Sequence, residues 1–309
     1  MEDYPRTLGE FEHRFSSEDA CRAYLVQLRW PTGLCCPRCA ASEGWATKRA
    51  LMMCSRCGRQ ASVTAGTIFH RSHLPLRTWF RAMWWVTNQK HGVSALGLQR
   101  LLGLGSYRTA WVCLQKLRRA MVRPGRDRLT GHVEVDETYV GGVEAGGGKR
   151  HLGNKALVVI AAQVDRKGIG RIRLRRILNA SAPSLDAFVK SAVEPGSAVI
   201  TDGWNGYEGL KSQGYAHKAK VIRGSGKTAS VLLPRVHRVA SLLKRWLLGT
   251  HQGAVSRDQL DYYLDEFAFR FNRRRSRSRG LVFFRVLELA VAHDPVRFQD
   301  LVANRRPKR

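Results

Sequence analysis

Two stretches of this 309-residue chain carry side chains able to do chemistry. "HVEVDETYVGG", His132 to Gly142, sets Glu134, Asp136 and Glu137 inside a β-branched pattern, and "VITDGWNGY" places Asp202 at the end of another apolar run. On a strand, side chains alternate, so Glu134, Asp136 and Thr138 point one way and Val133, Val135 and Glu137 the other. The valines can face a core. Asp136 then stands where a carboxylate must be solvated, paired or metal-bound, because burying it bare is costly. Two carboxylates drawn together from separate strands repel unless a hard cation lies between them. Asp136 and Asp202 are therefore candidate ligands for a catalytic divalent ion, Mg²⁺ or Mn²⁺. Beside a cationic surface, such an ion points to phosphoryl transfer.

A second chemistry is written in cysteine. Cys36-x-x-Cys39 and Cys54-x-x-Cys57 have the paired spacing in which each turn contributes two thiolates to a tetrahedral, structural Zn²⁺. Cys35 adjoins Cys36 and could replace it in register. Cys21 and Cys113 fall on helical patterns and read as packed thiols.

The charge balance names a partner. Lys and Arg number 53 against 24 acids, a formal charge of +29, and such a surface repels itself until phosphates neutralise it. Double-stranded DNA is the expected partner. No apolar run reaches the roughly 20 residues that span a bilayer, the longest being "ALVVIAAQV", and the mixed, polar start is not a secretory leader. A cytoplasmic, nucleoid-associated protein with reduced thiols is expected, and 44% apolar residues exclude global disorder.

Certain elements must position these groups. "SSEDACRAYLVQLRW" is an amphipathic helix ahead of the cysteine turns. "SALGLQRLLGLGSYRTAWVCLQKLRRAM" divides around "GLG" into two helices, with Ser106 capping the second. On that second helix Tyr107, Ala110, Trp111, Leu114, Leu117 and Met121 share a face and leave Arg108, Lys116 and Arg119 outward, as in a helix-turn-helix. Past "VRPGRDRLTGH", a linker, "HVEVDETYV", "ALVVIAAQV" and "IGRIRLRRIL" read as strands, "SLDAFVKSAV" as a helix and "SAVITDG" as a fourth strand. "RVHRVASLLKRWLLG" is a helix stopped at Gly249, and "QLDYYLDEFAFRFNRRR" another. The loop "GGVEAGGGKR" and the tail "NRRPKR" are expected to be mobile. The fold class is α/β, a multidomain α+β chain divided at 1–66, 67–124, 130–275 and 276–309.

"VEVDETYVGG", "VITDGWNGY", "VHRVASLLKRWLLGTHQG" and "YLDEFAFRFNRR", in this order and behind the Cys-x-x-Cys pairs, resemble the insertion-sequence 1595 family of bacterial DDE-type transposases. The resemblance covers nearly the whole chain. It implies a ribonuclease-H-like mixed-sheet catalytic domain, metal-dependent cleavage at the inverted-repeat ends of an insertion sequence, and joining of the freed 3′-hydroxyls to target DNA. Asp136 and Asp202 fall on the first two catalytic positions. Where relatives of this fold commonly place Glu or Asn, 35 residues after Asp202, this chain has His237, a softer ligand that favours Mn²⁺. Glu266 is the alternative third ligand. Lys244, seven residues beyond His237 on the same helical face, matches a lysine of the family. It and the arginines of "RFNRRRSRSR" would position phosphates. Two ends must meet, so the resemblance also implies a homo-oligomer. The rival readings are a zinc-ribbon and helix-turn-helix regulator with an idle α/β domain, an inactive copy, and a nuclease that cuts without joining.

Overall fold

The computed structural model describes residues 3–123, 125–141, 155–166, 168–221, 224–226 and 228–303. The loop beyond Gly141 and the tail "NRRPKR" lie outside them. The chain forms two compact units, residues 1–123 with 276–309, and residues 124–275.

The first unit begins with α1 (Leu8–Arg14) and α2 (Glu18–Arg29). Ser17 caps α2 by accepting from the Ala20 N–H at 3.1 Å. An antiparallel sheet follows, β1 (Gly44–Ala46), β2 (Met52–Cys54) and β3 (Gln60–Ala61) in that order. After it come α3 (Leu76–Asn88), α4 (Ala95–Leu102) and α5 (Tyr107–Ala120). The chain returns to this unit with a late helix, Arg279–Ala292, whose Phe283 packs edge-on to Phe11 and Trp84 in an aromatic core that includes Phe15 and Phe80. A remote acid completes α3. Proline at its N-cap offers no side-chain acceptor, and Glu18 supplies one, taking the N–H groups of Leu76 at 2.5 Å and Arg77 at 3.0 Å.

The hairpin of α4 and α5 closes as the residue types direct. Gly103 ends α4 in the left-handed region at φ 62°, and Ser106 caps α5 through the Thr109 N–H at 3.1 Å. One expectation fails. Lys116 is buried rather than outward, its ammonium donating to the Ile68 carbonyl at 3.2 Å, because further elements of this unit pack over that side of α5. Tyr107, expected on the packed face, is 54% exposed at the first turn.

In the second unit, β4 (His132–Val140), β5 (Ala156–Asp165) and β6 (Gly168–Ile177) form an antiparallel meander. Then α6 (Ala182–Ala192) leads to β7 (Ala198–Thr201), and a 3₁₀ helix (Asn205–Gln213) leads to β8 (Ala216–Ala219). The sheet order is β6-β5-β4-β7-β8, with β7 parallel to both β4 and β8. One sheet face carries Val133, Val135, Val159 and Val199 into a core with Leu185 and Phe188 of α6 and Tyr207 of the 3₁₀ helix. On the other face α8 (Pro234–His251) packs on β4 and β5, and α9 (Leu260–Asn272) on β6. Buried on both faces, β5 reads as one apolar run. A short helix, α7 (Ala229–Leu232), precedes α8. Helix α8 runs past Gly249 to His251 and ends at Gln252, itself left-handed at φ 51°. Gly249 sits exposed in helical geometry, so no turn is demanded there.

Candidate active site

The sulfurs come first because their geometry is closed. The ligand atoms of Cys36, Cys39, Cys54 and Cys57 all lie within 4.8 Å of one another. Cys36 to Cys57 and Cys39 to Cys54 are each 3.6 Å apart. Zinc–sulfur bonds of about 2.3 Å in a tetrahedron require sulfurs about 3.8 Å apart, so the four thiols fit the ion. Each pair sits on the same turn. The Ala40 N–H donates to the Cys36 carbonyl and the Gly58 N–H to the Cys54 carbonyl, with Ala40 at φ 56° and Gly58 at φ 65°. Backbone N–H groups of Arg38 and Cys39 aimed at its sulfur hold the Cys36 thiol down at about 6, toward the thiolate that zinc takes. Cys35 is exposed and stands outside this group.

The second site is built by register. Parallel pairing sets Val133 beside Val199 and Glu134 beside Ile200. Carried two residues further, it sets Asp136 beside Asp202, on the same face and at the same height of adjacent strands. Asp202 is the first residue beyond β7, and its carboxylate accepts the Trp204 N–H at 3.0 Å, which fixes the turn. Helix α8 crosses this face and brings His237 down from its first turn. Nε2 of His237 lies 3.1 Å from Oδ2 of Asp136, although no hydrogen bond of acceptable geometry forms between them. At least one pair among Asp136, Asp202 and His237 is wider than the 4.8 Å of the cysteine group, which is the one such close cluster among the described residues.

Burial raises the Asp136 carboxyl to about 7, and the neighbouring Asp202 pushes the same way against the N–H of Glu137. A carboxylate pair so placed gains from a divalent ion. The His237 imidazole is lowered, first by burial and then by Lys244, against the pull of Glu134 and Asp202. It is thus neutral at neutral pH. Lys244 is exposed on α8, and its field reaches His237 from two turns along the same helix. Glu266 is buried on α9, which packs on β6, two strands from β4, and the structure does not bring it to Asp136.

The two acids flanking Asp136 do other work, which sequence reasoning missed. Glu134 is 1% exposed and receives the N–H groups of Arg235 at 2.7 Å and Val236 at 3.0 Å, with the Arg235 guanidinium at 2.9 Å. Helix α8 has no side-chain cap of its own, so Glu134 closes its amino end and docks the helix on β4. Glu137, on the opposite face, accepts a hydrogen bond from the buried Tyr207 hydroxyl. Its carboxyl is raised to about 7 by burial, with Asp136 and Asp202 adding to the rise and Tyr207 opposing it. Face parity was the available signal for Glu134, since it shares the Asp136 side; partners about a hundred residues away leave no local mark. Three of the arginines expected to hold phosphates have partners within the protein. Arg273 stacks 3.9 Å from the Phe269 ring centre, Arg274 bonds the carbonyls of Ile169 and Gly170, and Arg275 pairs with Asp165.

Residues 128–272 match the model of the ISXO2-like transposase domain, and residues 16–60 that of the transposase zinc-ribbon domain. Over 277 residues, 83% of this chain and 91% of the relative, the sequence is 27% identical to an uncharacterized protein in transposable element ISH50 of Halobacterium salinarum. A solved chain of the simian T-cell lymphotropic virus intasome in complex with PP2A regulatory subunit B56 gamma is similar at 15% identity and a TM-score of 0.31, over 55% of this chain and 63% of that one. No helix among the described residues is long and apolar enough to cross a membrane.

Proposed function

The chain belongs to the insertion-sequence 1595 family of transposases, and on that premise we propose that it cleaves the inverted-repeat ends of its element and joins the freed 3′-hydroxyls to target DNA. The observation that carries this reading is Nε2 of His237 on α8 lying 3.1 Å from Oδ2 of Asp136, supported by the β4–β7 register, which runs toward Asp136 and Asp202, and by the charge of Asp202 felt at Asp136. The five-stranded mixed sheet supports a ribonuclease-H-like domain for this chemistry. Asp136, Asp202 and His237 are the proposed ligands of Mg²⁺ or Mn²⁺, which when bound would activate the attacking oxygen and neutralise charge on the scissile phosphate. The protein's own contribution is placement. Glu134 fixes the helix that carries His237, and the Trp204 N–H fixes the Asp202 carboxylate in its turn. Lys244, exposed along α8 from His237, orients a phosphate oxygen.

The zinc ribbon and the α4–α5 hairpin are the proposed end-binding elements. Recognition helices read bases with their amino-terminal residues, and on α5 these are the exposed Tyr107 and Arg108. Two ends require two active centres, so a homo-oligomer assembles on DNA. The test is Asp136→Asn with DNA bearing the terminal repeats of the element. Divalent-dependent end cleavage should vanish while binding persists; a fully active variant would refute the assignment. A wild type that binds without cutting would make the protein a regulator, and one that cuts without strand-transfer products a nuclease.

A further inference from the structure

The same sheet face that presents Asp136 and Asp202 is only half covered. Helices α8 and α9 lie over β4, β5 and β6, and no helix packs extensively on that face of β7 and β8 among the described residues. Register shows what this open half exposes. Glu134, Ile200 and Lys218 form one row across β4, β7 and β8, and the same register carried two residues beyond the paired segments leads toward Asp136, Asp202 and Lys220. Cross-strand neighbours share a face, so both lysines stand on the side of the candidate catalytic acids. An open groove of about 720 Å³ runs along the β8 edge, lined from this face by His132, Ile200, Lys218 and Lys220 and from the other by His217, which pairs with Val199, and by Lys211 of the 3₁₀ helix, with no acid in its wall.

Resting on the transposase reading above, we propose that this groove seats the phosphate backbone of the target DNA during joining. Lys211 and Lys218 are exposed, and their ammonium groups make no hydrogen bond or ion pair among the described residues. Lys220 holds the Leu232 carbonyl at 2.8 Å, so it adds charge without reaching far. The wall offers no Arg, Asn or Gln, the side chains that read base edges by paired hydrogen bonds. Lysine alone is a point charge that binds phosphate whatever the sequence. A terminal repeat is constant and calls for base readout; a target differs at every event and needs a track that ignores sequence. The row carrying Lys220 delivers that track to the two aspartates.

The experiment uses the full-length protein with Mn²⁺, a pre-cleaved terminal-repeat end carrying a free 3′-hydroxyl, and a plasmid target. Lys211→Glu with Lys218→Glu is compared with Lys190→Glu, a charge reversal on α6 outside the groove wall. With a salt exponent of about 0.9 per phosphate contact, losing two contacts at 0.15 M salt weakens target capture roughly 30-fold. Joining by the double variant should fall by that order, with a shallower salt dependence, while hydrolytic cleavage of uncut ends and joining by Lys190→Glu stay near wild type. Unchanged joining overturns the proposal, and so does an equal loss of end cleavage, which would give the groove to the transposon end. A wild type that neither cleaves nor joins would instead overturn the transposase chemistry beneath it.

Discussion

Glu134→Ala tests whether a buried acid positions the site by capping a helix. In the folded chain this carboxylate is 1% exposed and accepts two backbone N–H groups and one guanidinium at 2.7 to 3.0 Å. Truncation leaves the amino end of α8 uncapped and Arg235 without its partner. Removing one side of a buried ion pair costs about 3–5 kcal/mol, and the lower end applies because the guanidinium can turn to water. Arg235 is 24% exposed on its side chain. For a unit of this size, each kcal/mol moves the midpoint by about 2–4 °C, so a fall of roughly 6–12 °C is expected. Glu134→Gln keeps one acceptor oxygen but turns an N–H₂ toward a donor, and should fall between. Calorimetry on the full chain is the assay. His237 is one turn from the freed end, so the variant should also bind Mn²⁺ less tightly, read by titration of the same sample. A midpoint within about 2 °C of wild type, with unchanged Mn²⁺ affinity, would refute the capping argument.

Purified chain should carry one Zn²⁺, retained in Cys35→Ser and lost in Cys36→Ser or Cys57→Ser; equal zinc content in Cys36→Ser and wild type would put the wrong thiol in the site. Asp136 and Glu137 lie near 7 when folded and near about 4 when unfolded, so between these values the folded metal-free protein holds the extra protons and its stability falls as pH rises through 7. The stabilisation is fully present below pH about 4, Asp136→Asn should flatten the slope, and a midpoint indifferent to pH in both proteins would count against it. His237→Glu exchanges a soft ligand for a hard one and should lower the ratio of Mn²⁺-supported to Mg²⁺-supported end cleavage. An unchanged ratio would remove the imidazole from the metal.

Periodicity made the long elements readable. β4 matches the run His132–Val140, and β5 and β6 lie within a residue or so of their apolar patterns, because a strand buried on one or both faces has to display that burial in its residue types. β8 was not readable. "AHKA" is exposed edge strand with no apolar alternation, and only pairing with β7 makes it a strand. Lys116 failed for a related reason, since helical spacing finds the face with most apolar side chains but does not register a second packing partner arriving over the remainder. At the site, Asp136 and Asp202 stood out because each ends or interrupts an apolar strand, whereas choosing His237 over Glu266 required knowing which helix crosses β4.

Three acids in four residues of a strongly cationic chain resolve into three electrostatic states. Glu134 is tied to a helix end and a guanidinium. Glu137 is displaced toward its neutral form and tied to a phenol on the far face. Neither contributes a free negative charge to the point between β4 and α8. What remains there is Asp136 and Asp202 beside a neutral imidazole, a formal −2 that one divalent cation balances. A third carboxylate at His237 would deepen the potential and bind a hard ion more strongly, at the cost of raising Asp136 further in its absence. The imidazole keeps the centre near neutrality once an ion is bound, so negative charge drawn to it must come with the DNA. On the proposed function, Lys244 on α8 and Lys218 on the open half of the sheet would bring that charge in.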